Sequence, residues 1–237
     1  MSKFKYCAYA GVAMLAASGT ASATTIIATL NSMTPQQSVR VTLPSGATDT
    51  SAGRFNFTRT GGTHPVNPLP DSPVSRFWAF CVELGQTISF GESVTYNVLP
   101  LASGGNVIGG IGATKADAIL ELLGAVYPDF TQVLANDQYA ALQVSIWEIT
   151  REDRATYGYD VFTGDVKFSN TPASILNIAN GWLAQIDGLG PRAPRIRALV
   201  SERRQDMLVQ FPVPEPGVFA LTLLGLGVVA GARRRKL

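Results

Sequence analysis

Short β-branched and aromatic runs, each bounded by Gly, Pro, Ser or Asn, fill the first hundred residues: Thr25–Leu30, Val39–Leu43, Arg54–Thr58, Phe77–Glu83 and Val94–Leu99. Such bounded runs predict strands. Between Thr60 and Pro73 the chain is rich in Gly and Pro, which predicts a loop around His64. The apolar period then changes. Ala116, Ile119, Leu120 and Leu123 recur at helical spacing behind Thr114-Lys115-Ala116-Asp117, which resembles a capping box. A second helix is predicted over about Gln138–Arg151. A third has Thr171 as its cap, Pro172 in its first turn, and a stripe of Ile175, Ile178, Ala179, Trp182, Leu183 and Ile186. Arg192–Arg204 reads as a short fourth helix with a solvated basic face opposite Glu202 and Asp206, and Met207–Phe211 as a closing strand. Strands, then helices, then a strand predict an α+β domain: an antiparallel sheet or barrel-like half packed with three to four helices.

The two ends read differently. Lys3 and Lys5 precede an apolar stretch from Tyr6 to Ala17, and Ala21-Ser22-Ala23 supplies small residues for cleavage, the pattern of a secretory signal peptide. At the other end, Pro214-Glu215-Pro216 precedes an apolar run from Val218 to Ala232 and a cluster of Arg233, Arg234, Arg235 and Lys236. A helix over that run is about 22 Å long against a hydrocarbon core of roughly 30 Å, so it predicts a short transmembrane helix that holds only briefly. Its basic end is expected to stay cytoplasmic. The expected organisation is therefore a signal peptide over 1–23, an exported domain over 24–212 and a sorting tail over 213–237.

The formal charge of +2 in 237 residues misleads, because six of the 19 basic residues belong to these terminal segments. Without them and Glu215, 13 basic and 16 acidic residues remain, so the exported part is mildly acidic. That excludes an electrostatic case for nucleic acid, which needs a basic surface. A single histidine, His64, argues against clustered-ligand zinc sites, and no metal or other cofactor is expected.

The tripartite tail of Pro214-Glu215-Pro216, apolar helix and terminal arginines resembles the PEP-CTERM sorting signal of Gram-negative bacteria that make exopolysaccharide. That resemblance implies processing by an exosortase, a transient inner-membrane anchor, and release to the cell surface or extracellular matrix.

Removal of the signal peptide takes Cys7 with it and leaves Cys81 as the one cysteine of an exported chain, where thiols are ordinarily paired. In Trp78-Ala79-Phe80-Cys81-Val82-Glu83 the Cys81 side chain shares a strand face with Ala79 and Glu83. Its plain reading is a buried structural residue. On the second helix, Tyr139, Ala140, Ile146 and Trp147 lie three and four positions from Gln143, which places a carboxamide on the most apolar face. A buried glutamine needs partners for both oxygen and nitrogen, from backbone groups or from a reaction that consumes it.

Phe80-Cys81 and Gln143-Val144-Ser145-Ile146-Trp147 together resemble the thioester domain of bacterial surface proteins, in which a strand cysteine is joined to a glutamine in a helical Gln-x-Ala-Ile-Trp pattern. Ser145 stands where that pattern has alanine. The resemblance implies a side-chain thioester between Cys81 and Gln143. Glu83, on the same strand face as Cys81, is the candidate for proton transfer, against the plainer role of a solvated carboxylate. Tyr139, Trp147 and Trp78 then shield the bond from water. Attack by an amine or hydroxyl on an exopolysaccharide or surface protein leaves the target on the Gln143 acyl group. Each molecule reacts once, so the protein is not an enzyme. Two other classes compete: a noncovalent structural or carbohydrate-binding matrix protein with inert Cys81 and Gln143, and a cysteine hydrolase using His64 as base.

Overall fold

The computed structural model describes residues 24–63, 76–105 and 108–211. The signal segment, His64, and the tail with its expected membrane helix lie outside them. Among the described residues no helix is long and apolar enough to cross a membrane.

Two strands, β1 (Thr25–Leu43) and β2 (Gly46–Gly62), form one long antiparallel hairpin. The two runs expected at Thr25–Leu30 and Val39–Leu43 are thus the ends of a single strand. The polar stretch between them, which contains Pro35, stays extended because bulges interrupt the register between Leu30 and Ser32 and between Met33 and Gln36. Irregular pairing of this kind tolerates a proline that regular pairing excludes. Strands β3 (Arg76–Cys81), β4 (Ser93–Pro100), β5 (Lys167–Ser169), β6 (Ile196–Val200) and β7 (Met207–Gln210) complete the sheet in the order β2-β3-β7-β6-β4-β1-β5. Because β1 also pairs with β2, the six strands β1-β2-β3-β7-β6-β4 close on themselves, antiparallel throughout. The expected barrel-like half is a closed barrel, with β5 added beside the far end of β1.

Four helices follow the α+β expectation: α1 (Gly112–Val126), α2 (Asn136–Arg151), α3 (Arg154–Tyr157) and α4 (Ala173–Leu183). Three local expectations fail. Helix α1 starts before Thr114, so that residue sits inside the first turn and the capping box does not form. Thr171 does not cap α4; Pro172 occupies the N-cap position, and Ile186 lies beyond the last turn. The helix expected over Arg192–Arg204 is strand β6 with its flanking loops. Pro194 disfavours helix in the residue before it, and Ile196, Arg197 and Ala198 alternate buried, exposed, buried. Asp206, expected opposite the basic cluster, is buried and accepts hydrogen bonds from Ser201 N–H at 2.8 Å and Gly105 N–H at 2.9 Å instead.

Inside the barrel Phe57 stacks on Phe77 with centroids 5.3 Å apart, and Tyr96 meets Phe57 edge-on at 6.4 Å. Outside it, α2 packs on β1, β2 and β3 and against α1 and α4. Every residue from Tyr139 to Thr150 is buried, so this helix is surrounded on all sides. Helix α1 reaches its place by a close approach: a Cβ at Gly124 would lie 2.0 Å from the Pro191 carbonyl oxygen.

Candidate functional site

The site forms where the pairing of β2 with β3 stops. Ala79 is opposite Phe55, but two residues further along β2 the chain is already paired with β1 alone, Gly53 opposite Gln36. Val82 N–H donates to Asp206 O at 3.1 Å on the β7 side. Main-chain groups of successive strand residues point to opposite neighbours, so those of Cys81 face the vacated β2 side. The Gln143 side chain of α2 fills that gap. Its Oε1 accepts from Cys81 N–H at 2.9 Å and its Nε2 donates to Cys81 C=O at 2.8 Å. The carboxamide replaces a missing peptide group of the ladder, which answers the demand that a buried glutamine places on its surroundings.

Cys81 and Gln143, separated by 62 residues in the chain, are therefore neighbours, and both are fully buried. The free Cys81 thiol donates to the Glu83 carbonyl oxygen at 2.6 Å, while Glu83 N–H donates to Sγ at 3.2 Å. Trp147 Nε1 donates to the same Glu83 carbonyl at 3.1 Å, so the indole fixes the group that orients the thiol. Burial pushes the thiol up to about 12, against the lowering effects of its hydrogen bonds with Glu83 and Trp147.

Glu83 is not the solvated carboxylate of the sequence expectation. It lies past the end of β3, is 1% exposed, and accepts from Asp206 N–H at 2.6 Å through Oε1. Its main chain, more than its carboxylate, is what touches the sulfur. Ser145, which replaces the alanine of the resembling pattern, donates from Oγ to Ala141 O at 2.9 Å within its own helix. The hydroxyl adds no polar group to the helix contact.

Tyr139 lies one turn before Gln143 and is buried. Its hydroxyl accepts from Arg54 Nη1 at 2.9 Å and from Leu134 N–H at 3.0 Å. The Arg54 guanidinium is sandwiched, 3.6 Å from the Trp78 ring centroid and 4.4 Å from that of Tyr139. This stack, half-exposed at Arg54 and Trp78, covers the start of α2 beside the buried pair. In the sequence Arg54 stands out only as the first residue of the strand run Arg54–Thr58, with nothing to mark it as part of the site. Only the packing of α2 brings Tyr139 over it.

Glu148 was also missed, although it sits directly after Trp147 on a helix buried on every side. Its Oε1 accepts from Asp160 N–H at 2.8 Å and its Oε2 has no partner. Desolvation, with nearby Glu152 and Asp160, pushes its carboxyl up to about 8. Two other buried carboxylates are ties for loops: Glu121 accepts from Gly188 and Gly190 N–H, and Glu152 from Asp153 and Asp165 N–H. No group of three or more acidic, histidine or cysteine side chains is placed to hold a metal ion among the described residues. His64, and with it the base of the hydrolase reading, lies outside them, as do Pro214, Glu215, Pro216, Arg233, Arg234 and Arg235.

Comparison with known families matches residues 212–236 to the PEP-CTERM protein-sorting motif. The motif implies exosortase processing and export through a transient membrane stage to the surface. The match begins where the described domain ends, so it concerns delivery and leaves the barrel and helices to be read from their own geometry. No curated protein and no solved structure matches the chain.

Proposed function

We propose that this exported surface protein uses Cys81 and Gln143 to form an internal thioester for a single covalent attachment to an amine or hydroxyl on a surface or matrix target. The observation that carries the reading is the Gln143 carboxamide held against Cys81 with both residues fully buried. The Cys81 N–H at Gln143 Oε1 polarises the carbonyl to be attacked and stabilises negative charge on that oxygen as the sulfur adds. The sulfur–carbon bond forms, the carbon–Nε2 bond breaks, and Nε2 leaves as ammonia with the thiol proton. The Oε1 hydrogen bond survives the change; the bond from Nε2 to Cys81 O is lost. A target amine or hydroxyl then attacks the same carbon, the sulfur–carbon bond breaks, and the nucleophile's proton returns to Cys81.

A second reading is favoured by one observation. The thiol is held protonated by burial, at about 12, and the carboxamide already has both its partners. On that reading Gln143 is a structural clasp that completes a strand edge, and the domain is a noncovalent component of the surface or matrix.

Intact mass separates the two. The thioester makes the exported protein lighter by one ammonia, protects Cys81 from alkylation under denaturing conditions, and yields a free thiol on treatment with methylamine. Full mass, with Cys81 alkylated as soon as the protein is denatured, overturns the covalent reading.

A further inference from the structure

The two bonds between Gln143 and Cys81 fix an orientation as well as a contact. Oε1 accepts from Cys81 N–H at 2.9 Å, and Nε2 donates to the C=O of the same residue at 2.8 Å. Both main-chain groups leave one strand residue on one side, so the small ring they close with the carboxamide uses the Nε2 hydrogen that lies syn to Oε1. The other Nε2 hydrogen points away from the strand. A substituent on the nitrogen changes this arrangement. In the ordinary trans form of a secondary amide the N–H lies anti to the carbonyl oxygen, and the substituent takes the syn position. The cis form, which returns a hydrogen to that side, is found in well under about 0.1% of amides that do not involve proline.

The covalent reading, on which this inference rests, ends with the Gln143 acyl group on a target. When an amine attacks the thioester, the nitrogen–carbon bond forms, the sulfur–carbon bond breaks and one amine proton passes to Sγ, leaving a secondary amide. The first carbon of the target then stands where the donating hydrogen stood, and overlaps the Cys81 carbonyl oxygen, which lies 2.8 Å from the nitrogen in the closed pair. A hydroxyl target gives an ester, whose bridging oxygen meets the same carbonyl with no hydrogen to offer it. Cys81 and Gln143 are both 0% exposed, and α2 is buried on every side around them, so neither product has room to shift within the closed pair. Ammonia differs from both, because it rebuilds the primary carboxamide.

We infer that attachment of a target is coupled to opening of this clasp. The conjugated Gln143 side chain leaves Cys81 and stays away from it, and the N–H and C=O at the end of β3 lose their partners on that side. Before attachment the Oε1 bond keeps the strand end closed. The reaction that fixes the target therefore also changes the barrel end, once and in one direction.

Hydrogen exchange of the full-length protein in detergent tests it, on matched samples treated with ammonia or with methylamine. Intact mass rises by one ammonia or one methylamine where each has reacted at the thioester. Exchange at the Cys81 amide is expected to be at least tenfold faster in the methylamine product than in the ammonia product, with a lower urea midpoint. Cys81→Ala, which has no sulfur to form the bond, is expected to exchange identically after either treatment. Equal exchange at Cys81 in the two wild-type products, or the same increase around residue 81 in Cys81→Ala, overturns the inference and leaves the thioester standing. A protein without the mass deficit, or one whose deficit methylamine does not fill, overturns the covalent reading and this inference with it.

Discussion

Gln143 pairs with the main chain of Cys81 as a strand residue would, oxygen to N–H at 2.9 Å and nitrogen to C=O at 2.8 Å. A side chain of the most buried helix thereby finishes a rung that β2 leaves open. The same arrangement puts a carboxamide carbon beside the residue that carries the one described free thiol. The structural clasp and the proposed thioester start from this one arrangement and differ in whether Nε2 is retained.

Replacing Gln143 by alanine leaves a buried N–H and a buried C=O without partners, at about 1–3 kcal/mol each, and adds a cavity. Gln143→Ala is expected to lower stability by roughly 3 kcal/mol or more, read as a shift in the urea midpoint. Gln143→Glu keeps the shape but places a carboxylate oxygen against the Cys81 carbonyl, and is expected to lose nearly as much at pH 7 and to regain part of it in acid. A midpoint unchanged in both variants would show that the clasp contributes nothing.

A Cys81 thiol raised to about 12 is thiolate in only about one molecule in ten thousand at pH 8. Any unbonded Cys81 is therefore expected to resist iodoacetamide in the folded protein, and its alkylation to follow global unfolding as urea is added. Rapid alkylation in buffer alone, followed by mass spectrometry, would contradict the enclosure described for the sulfur.

Glu148 carries the pH dependence. Its carboxyl is raised from the usual 4.5 to about 8, so between those values the folded protein holds a proton that the unfolded chain has released. Its contribution to stability is complete below about pH 4.5, falls as the pH rises toward 8, and is constant above that. Several exposed or nearly exposed carboxylates, among them Asp153 and Glu92, are held low by hydrogen bonds and act in the opposite direction. The comparison is therefore with Glu148→Gln: wild type is expected to lose stability relative to the variant between pH 5 and pH 8, by an amount on the order of a few kcal/mol. Denaturation curves that run parallel across that range count against a neutral Glu148.

Arg54→Lys is not a conservative change, because an ammonium cannot stack flat between Trp78 and Tyr139. It is expected to cost about 1–2 kcal/mol, the value of a partly desolvated cation–aromatic contact, and to raise amide exchange at the start of α2. Unchanged exchange at Tyr139 and Ala140 would mean that the stack does not secure the helix.

The sequence alone located the β-rich half, three of the four helices and the closing strand. Helical spacing, a local property, also placed Gln143 with Tyr139 and Trp147 on one face, whereas Cys81 was joined to them only by the resemblance of Phe80-Cys81 and the Gln143–Trp147 segment to a thioester domain. Arg192–Arg204 misled because its arginines suggested a helical face, while Pro194 and the alternation around Ile196 belong to a strand. Closure of the barrel, the early end of β2 pairing and the burial of Glu83 were decided by tertiary structure alone. Each depends on which main-chain groups another element leaves without a partner, and hydrogen-bond demand of that kind arises only once distant strands meet. For the same reason the sequence marked Gln143 as a buried amide in need of two bonds, and only the fold could supply Cys81 as the residue that makes both.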